Sequence, residues 1–165
     1  MMLSADDRAE EIMALLAECW LPRIYRDRIL QMRTRAYHFD APLRSSHVEI
    51  QHTLLGVELK VGRRRYLCPD LATARYLSVF ARAGCKDVAL PYDISQVSCI
   101  ADELESAWQR MLLLVDSNAD KMTTSASRAR TRGQLIARLR AEIGEAGAGA
   151  EVPEFKQSTR QRRAV

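Results

Sequence analysis

The chain has 165 residues, 47% of them apolar and 28% charged, which fits one compact domain plus a short extension. Its longest apolar run, around residues 111–115, is far too short for a bilayer span, and the acidic opening MMLSADDRAEEIM lacks the order of a secretory leader, so a cytoplasmic location is expected. The net charge of +4 is uneven: residues 1–120 hold 15 basic and 17 acidic side chains, residues 121–165 hold 10 and 4, so a slightly acidic domain over 1–120 and a basic tail over 121–165 are expected.

In chain order, Ser4 followed three residues later by Asp7 reads as a helix-starting capping box. Ile12, Leu15, Leu16 and Cys19 then recur at helical spacing. Pro22 either ends that helix or opens the next, in which Tyr25, Ile29 and Met32 share one stripe. RTRAYHFD alternates as a strand does, and APLRSS reads as a loop. HVEIQHTLLGVELKVGRRRYLCP has the pattern of a three-stranded meander with Gly56 and Gly62 at its turns. Its alternation sends Val57, Leu59 and Val61 to one face, and Glu58 and Lys60 to the other.

Asp70 then caps a helix with Leu71, Ala74, Leu77 and Phe80 on its buried stripe, and Gly84 closes it. DVALPY is apolar enough for a strand buried on both faces. From Ser95 or Ser98 a long helix follows, with a broad apolar face from Val97 through Ile100, Leu104, Trp108 and Met111 to Val115. Beyond residue 120, Leu135, Ile136, Leu139 and Ile143 permit a short amphipathic helix, and the small, polar, basic remainder is expected to be disordered. The expected architecture is an α+β domain of order α-(β)-βββ-α-β-α. It has one small mixed sheet, in which the helix after the meander makes a parallel crossover to DVALPY.

Four scattered cysteines without a CxxC pair, and three histidines without ligand spacing, point to reduced thiols and no resident metal. The chemistry worth weighing lies in the meander. Glu58 and Lys60, two apart on one strand, point the same way, and Glu49 supplies a second acid from the neighbouring strand. An acid, then E-x-K, then strand, helix and strand over residues 47–94 resembles the core of the PD-(D/E)xK nucleases. That family's first acid is an aspartate; here Glu49 stands in its place, with Asp40 the other candidate. The resemblance implies a Mg²⁺-dependent nuclease in which Glu49 and Glu58 hold the cation and Lys60 positions the attacking water. The alternative is the charged outer face of an ordinary strand.

Arg63, Arg64 and Arg65 at a hairpin turn can grip phosphates, with Tyr66 beside them able to stack on a base. Arg23, Arg26, Arg28, Arg33 and Arg35 interleave with Tyr25, Tyr37 and Phe39, in the manner of single-strand binders or of an amphipathic segment with aromatics in the core. Tyr92 and Asp93 follow a buried strand, where α/β proteins often build sites. Arg128, Arg130, Arg132, Arg138 and Arg140 make the tail a candidate contact for nucleic acid or an acidic protein.

The leading expectation is a non-catalytic binding or regulatory module that needs no cofactor and contacts nucleic acid or another acidic macromolecule through the arginine hairpin and basic tail. The alternatives are the Mg²⁺ nuclease and a subunit of a protein complex, or a homodimer, docking through the apolar face of residues 100–115. No membrane partner is expected.

Overall fold

The computed structural model describes residues 4–39, 47–117 and 124–149. The expected loop APLRSS, Asp40 and the last part of the basic extension lie outside the described residues.

Helix α1 (Ala5–Leu16) starts as its sequence dictates. The Ser4 hydroxyl accepts from the Asp7 N–H at 3.1 Å, and the Asp7 carboxylate accepts from the Ser4 N–H at 3.3 Å. The helix stops at Ala17, whose φ of 49° and ψ of −115° strain a residue with a Cβ. A 3₁₀ turn (Ala17–Cys19) leads to α2 (Leu21–Ile24), which Pro22 opens within its first turn, where the missing N–H is not needed. A π-helical turn (Tyr25–Ile29) then ends this helical stretch ahead of strand β1 (Thr34–His38).

Strands β2 (Val48–Thr53), β3 (Gly56–Val61) and β4 (Arg64–Cys68) form the expected antiparallel meander. Gly62, at φ +61°, takes the first position of the two-residue β3–β4 turn, where primed hairpin turns require a left-handed residue. The pleat falls as the alternation predicts: Leu59 and Val61 are buried with Tyr66 and Cys68 of β4, and α3 (Leu71–Ala83) packs on β2 and β3. Asp70 caps α3 by accepting from the Thr73 N–H at 2.7 Å, and Gly84 ends it in the left-handed region.

The α+β class holds, but the single mixed sheet with a parallel crossover does not. Strand β5 (Asp87–Pro91) leaves the meander and pairs antiparallel with β1, Ala36 opposite Ala89, so there are two antiparallel sheets of two and three strands. The inner rim of β5 is occupied by side chains. The Ala89 N–H donates to the Tyr25 hydroxyl at 2.9 Å, and the Tyr76 hydroxyl donates to the Ala89 carbonyl. Pro91, on the same rim, brings no N–H to be satisfied. A parallel neighbour would find no free rung at Ala89.

Helix α4 (Ile94–Ser117) buries Val97, Ile100, Ala101, Leu104, Ala107, Trp108, Met111 and Val115. It does so against α1, α2, α3, β5 and the last helix, α5 (Ser125–Ala146). The breadth that suggests a docking helix is therefore consumed inside the molecule. The helix expected in the basic extension is present as α5 and belongs to the core: Thr131, Leu135, Leu139 and Ile143, four apart, are all buried, with α1 as the main neighbour. Trp20 Nε1–H donates to the Glu142 carboxylate at 3.1 and 3.2 Å, fixing the α1–α2 junction to α5.

Residues 147–149 then run against β5. The Gly147 carbonyl accepts from the Tyr25 hydroxyl at 2.5 Å. Gly149, at φ +84°, lies so near Thr34 that a Cβ there would come within 2.2 Å of its Oγ1. Among the described residues no helix is long and apolar enough to cross a membrane.

Candidate nucleic-acid interface

The outer face of the meander follows from its register. Glu49 lies opposite Lys60, which lies opposite Arg65, while Gln51 faces Glu58, which faces Leu67. Directly opposed residues share a face, so Glu49, Glu58 and Lys60 do stand together, as E-x-K spacing predicts. Their surroundings are those of a cross-strand charge ladder. Glu49 accepts hydrogen bonds from His47 at 3.2 Å and Gln51 at 2.6 Å. These bonds, His47's first, with the nearby Lys60 charge, hold its carboxyl below the usual range. Arg65 stands 3.8 Å from Glu58. Among the described residues, no group of three or more His, Cys, Asp or Glu is arranged to hold a metal ion.

The three consecutive arginines diverge. Arg63 sits in the turn, Arg65 projects from the outer face with Lys60, and Arg64 lies on the opposite face at the open end of the sheet. Arg63 and Arg64 are exposed and have no partner among the described residues. Tyr66 is not a stacking platform beside them. Its ring is buried, edge-on to Phe39 at 5.3 Å and Tyr37 at 6.4 Å. Tyr25 and Phe39 are buried as well, so the aromatics interleaved with the N-terminal arginines belong largely to the core.

Helix α5 turns Arg132, Arg138 and Arg140 back on its own molecule. Arg138 reaches Glu10 at 3.5 Å and Asp6 at 3.9 Å on α1, Arg132 lies 3.9 Å from Asp116, and Arg140 Nε–H donates to the Ala83 carbonyl at 2.9 Å. The acidic first turns of α1 are thus the counter-surface of the basic helix. Arg128 and Arg130 lie in the first two turns of α5, the first half-buried and the second exposed.

Two further features were not singled out by the sequence, and a third involves the expected Tyr92 and Asp93. Leu54 and Leu55 form the β2–β3 turn and are fully exposed, with Leu67 on the outer face near them; adjacent leucines between two strands are the signal. A cleft of about 440 Å³ between α2 and α4 is lined by Cys19, Arg28, Glu103 and Arg110, with an Arg110 N–H donating to Cys19 Sγ at 3.3 Å and Arg28 bonded to Glu103. A second cleft, of about 540 Å³, holds Arg33 over the Tyr92 ring, 5.1 Å from its centroid. Asp93 beside it accepts from the Ser95 hydroxyl at 2.7 Å and the Ser95 N–H at 3.0 Å. Those bonds depress its pKa and give it the role of helix cap. All four cysteines are free, and burial pushes the thiols of Cys68 and Cys85 up to about 11 and about 12.

Compared with protein-family models, with curated proteins and with solved structures, the chain matches none.

Proposed function

We propose that this chain is a non-catalytic binding module that contacts the phosphate backbone of a nucleic acid through the β3–β4 turn. One observation carries the reading: Arg63 and Arg64 project at a tight turn without a partner among the described residues, whereas Arg132, Arg138 and Arg140 are engaged by the molecule itself. Lys60 and Arg65 stand on the outer face beside the turn, where Glu49 and Glu58 balance them. With Tyr66 buried, the tyrosine beside the turn is not available to stack on bases. Binding is then to phosphates, largely independent of sequence, and falls steeply with salt. Lys156, Arg160, Arg162 and Arg163 at the chain's end add basic charge to the same encounter.

The test is fluorescence anisotropy with duplex DNA, single-stranded DNA and RNA of equal length across a salt series. Replacing Arg63 and Arg64 by alanine is expected to weaken binding to all three and to flatten the logarithmic salt slope by about one per lost contact. Truncation after residue 149 measures the share of the terminal charges. Affinity unmoved by the double substitution, or tighter binding to an acidic protein than to any nucleic acid, overturns the proposal. The same samples incubated with Mg²⁺ are expected to leave branched and single-stranded DNA uncut; cleavage abolished by Lys60→Ala would replace this reading with the nuclease one.

A further inference from the structure

We propose that the outer face of the meander is the contact surface of a homodimer, with β3 of one copy lying antiparallel across β3 of a second. The starting observation is Glu58. It sits at the centre of that face on the central strand, its side chain only 16% exposed. Its Oε2 is shielded from solvent and has no hydrogen-bond partner among the described residues. The Arg65 guanidinium, 3.8 Å away, is too far to donate to it. A shielded carboxylate oxygen without a donor carries an uncompensated desolvation cost. That oxygen is covered by the molecule's own atoms, so a donor from above the sheet meets the Glu58 carboxylate at its other oxygen.

The face itself provides such a donor when it meets a copy of itself. Lys60 lies two residues beyond Glu58 on the same side of the same strand. A twofold axis perpendicular to β3, passing at Leu59, exchanges the two positions. Each Glu58 then meets the second copy's Lys60, and each Lys60 meets the second copy's Glu58. The same operation sets Gln51 against the second copy's Glu49, an amide donor against a carboxylate. It also lays Leu67 along the aliphatic stem of the second copy's Arg65, because the register puts Gln51, Glu58 and Leu67 in one row, and Glu49, Lys60 and Arg65 in the next but one.

Two acids and two bases make the face neutral and complementary to itself. A twofold along the strands would instead oppose Glu58 to Glu58 and Lys60 to Lys60, stacking like charges, so charge selects the perpendicular axis. Leu67, 63% exposed, adds apolar surface with no other cover. The product is a six-stranded sandwich of two face-to-face sheets. Arg63 and Arg64 lie at the turn and outside this face, so phosphate contact at the turn and association through the face are tested by different substitutions.

Light scattering and sedimentation equilibrium on the full chain test it. The expected particle has twice the 18.7 kDa chain mass and dissociates on dilution. Glu58→Lys and Lys60→Glu, each opposing like charges across the axis, are expected to weaken association by about tenfold or more. The double reversal is expected to restore it. Leu67→Asn, at an exposed position that leaves folding intact, is expected to weaken association independently. Circular dichroism checks the fold of each variant. A chain that stays monomeric up to its solubility limit overturns the proposal. So does a dimer indifferent to the single reversals, or a folded double reversal that fails to associate.

Discussion

Helix α5 and the β3–β4 turn are both rich in arginine, yet their charges have opposite fates. On α5, Arg132, Arg138 and Arg140 meet acids and a carbonyl of the same molecule while Arg130 stays exposed, because the stripe of Thr131, Leu135, Leu139 and Ile143 docks the helix against the acidic α1. At the turn, Gly62 and the strand pairing hold the backbone but bring Arg63 and Arg64 no partner among the described residues. Net charge counted along a sequence therefore misjudges which cations are available. Availability depends on whether an apolar stripe carries the cations to an acidic neighbour.

The contrast breaks first if α5 is detachable. Leu139→Ala, at a fully buried position, is expected to cost about 2–5 kcal/mol, read from the urea midpoint. The Arg63→Ala, Arg64→Ala pair is expected to stay within about 0.5 kcal/mol of the parent in the same assay. Equal effects would erase the distinction between the two regions. A smaller loss tests how the end of α5 is tied down. Tyr25→Phe strips partners from the Ala89 N–H and the Gly147 carbonyl together, for an expected cost of about 1–3 kcal/mol by thermal denaturation.

Alkali probes the same corner. Burial raises Cys85 from 9.0 to about 12 and Tyr25 from 10.0 to about 12, so folding favours their neutral forms. Their contribution to stability is complete below about pH 9 and is lost as pH climbs from there toward 12. The urea midpoint should decline over that range, and Cys85→Ala should make the decline shallower; a flat profile would contradict the burial of both groups. The smallest effect belongs to the ion pairs themselves. Arg138→Ala, which removes contacts at 3.5 and 3.9 Å near the surface, is expected to cost at most about 1 kcal/mol and to fade in salt. The α1–α5 seam would then be apolar in its strength and ionic only in keeping those charges occupied.

The local signals in the sequence were legible. Ser4 with Asp7, Asp70 with Gly84, and the alternation around Leu59 each describe backbone chemistry confined to a few residues, and each element formed where its signal lies. Grouping Glu49, Glu58 and Lys60 on one face needed only the period of a strand. The partner of β5 was not legible, because apolar DVALPY fits a parallel or an antiparallel neighbour equally. The choice was made by Tyr25 and Tyr76, side chains 64 and 13 residues away from Ala89. The place of α5 was obscured for a different reason: its arginines suggested a solvated tail, while the four-residue spacing from Thr131 to Ile143 was the better guide. Tyr66 was misjudged because its neighbours in sequence are cationic while its neighbours in space are Phe39 and Tyr37.

The phenol seal on β5 has a bearing on how this chain keeps to itself. Before the two tyrosines dock, the rung at Ala89 is an open template that a strand from any neighbouring chain can read. Once they arrive, the ribbon is private at that rung. Removing either hydroxyl would thus do more than loosen a monomer: it would reopen a nucleus for clumping during synthesis.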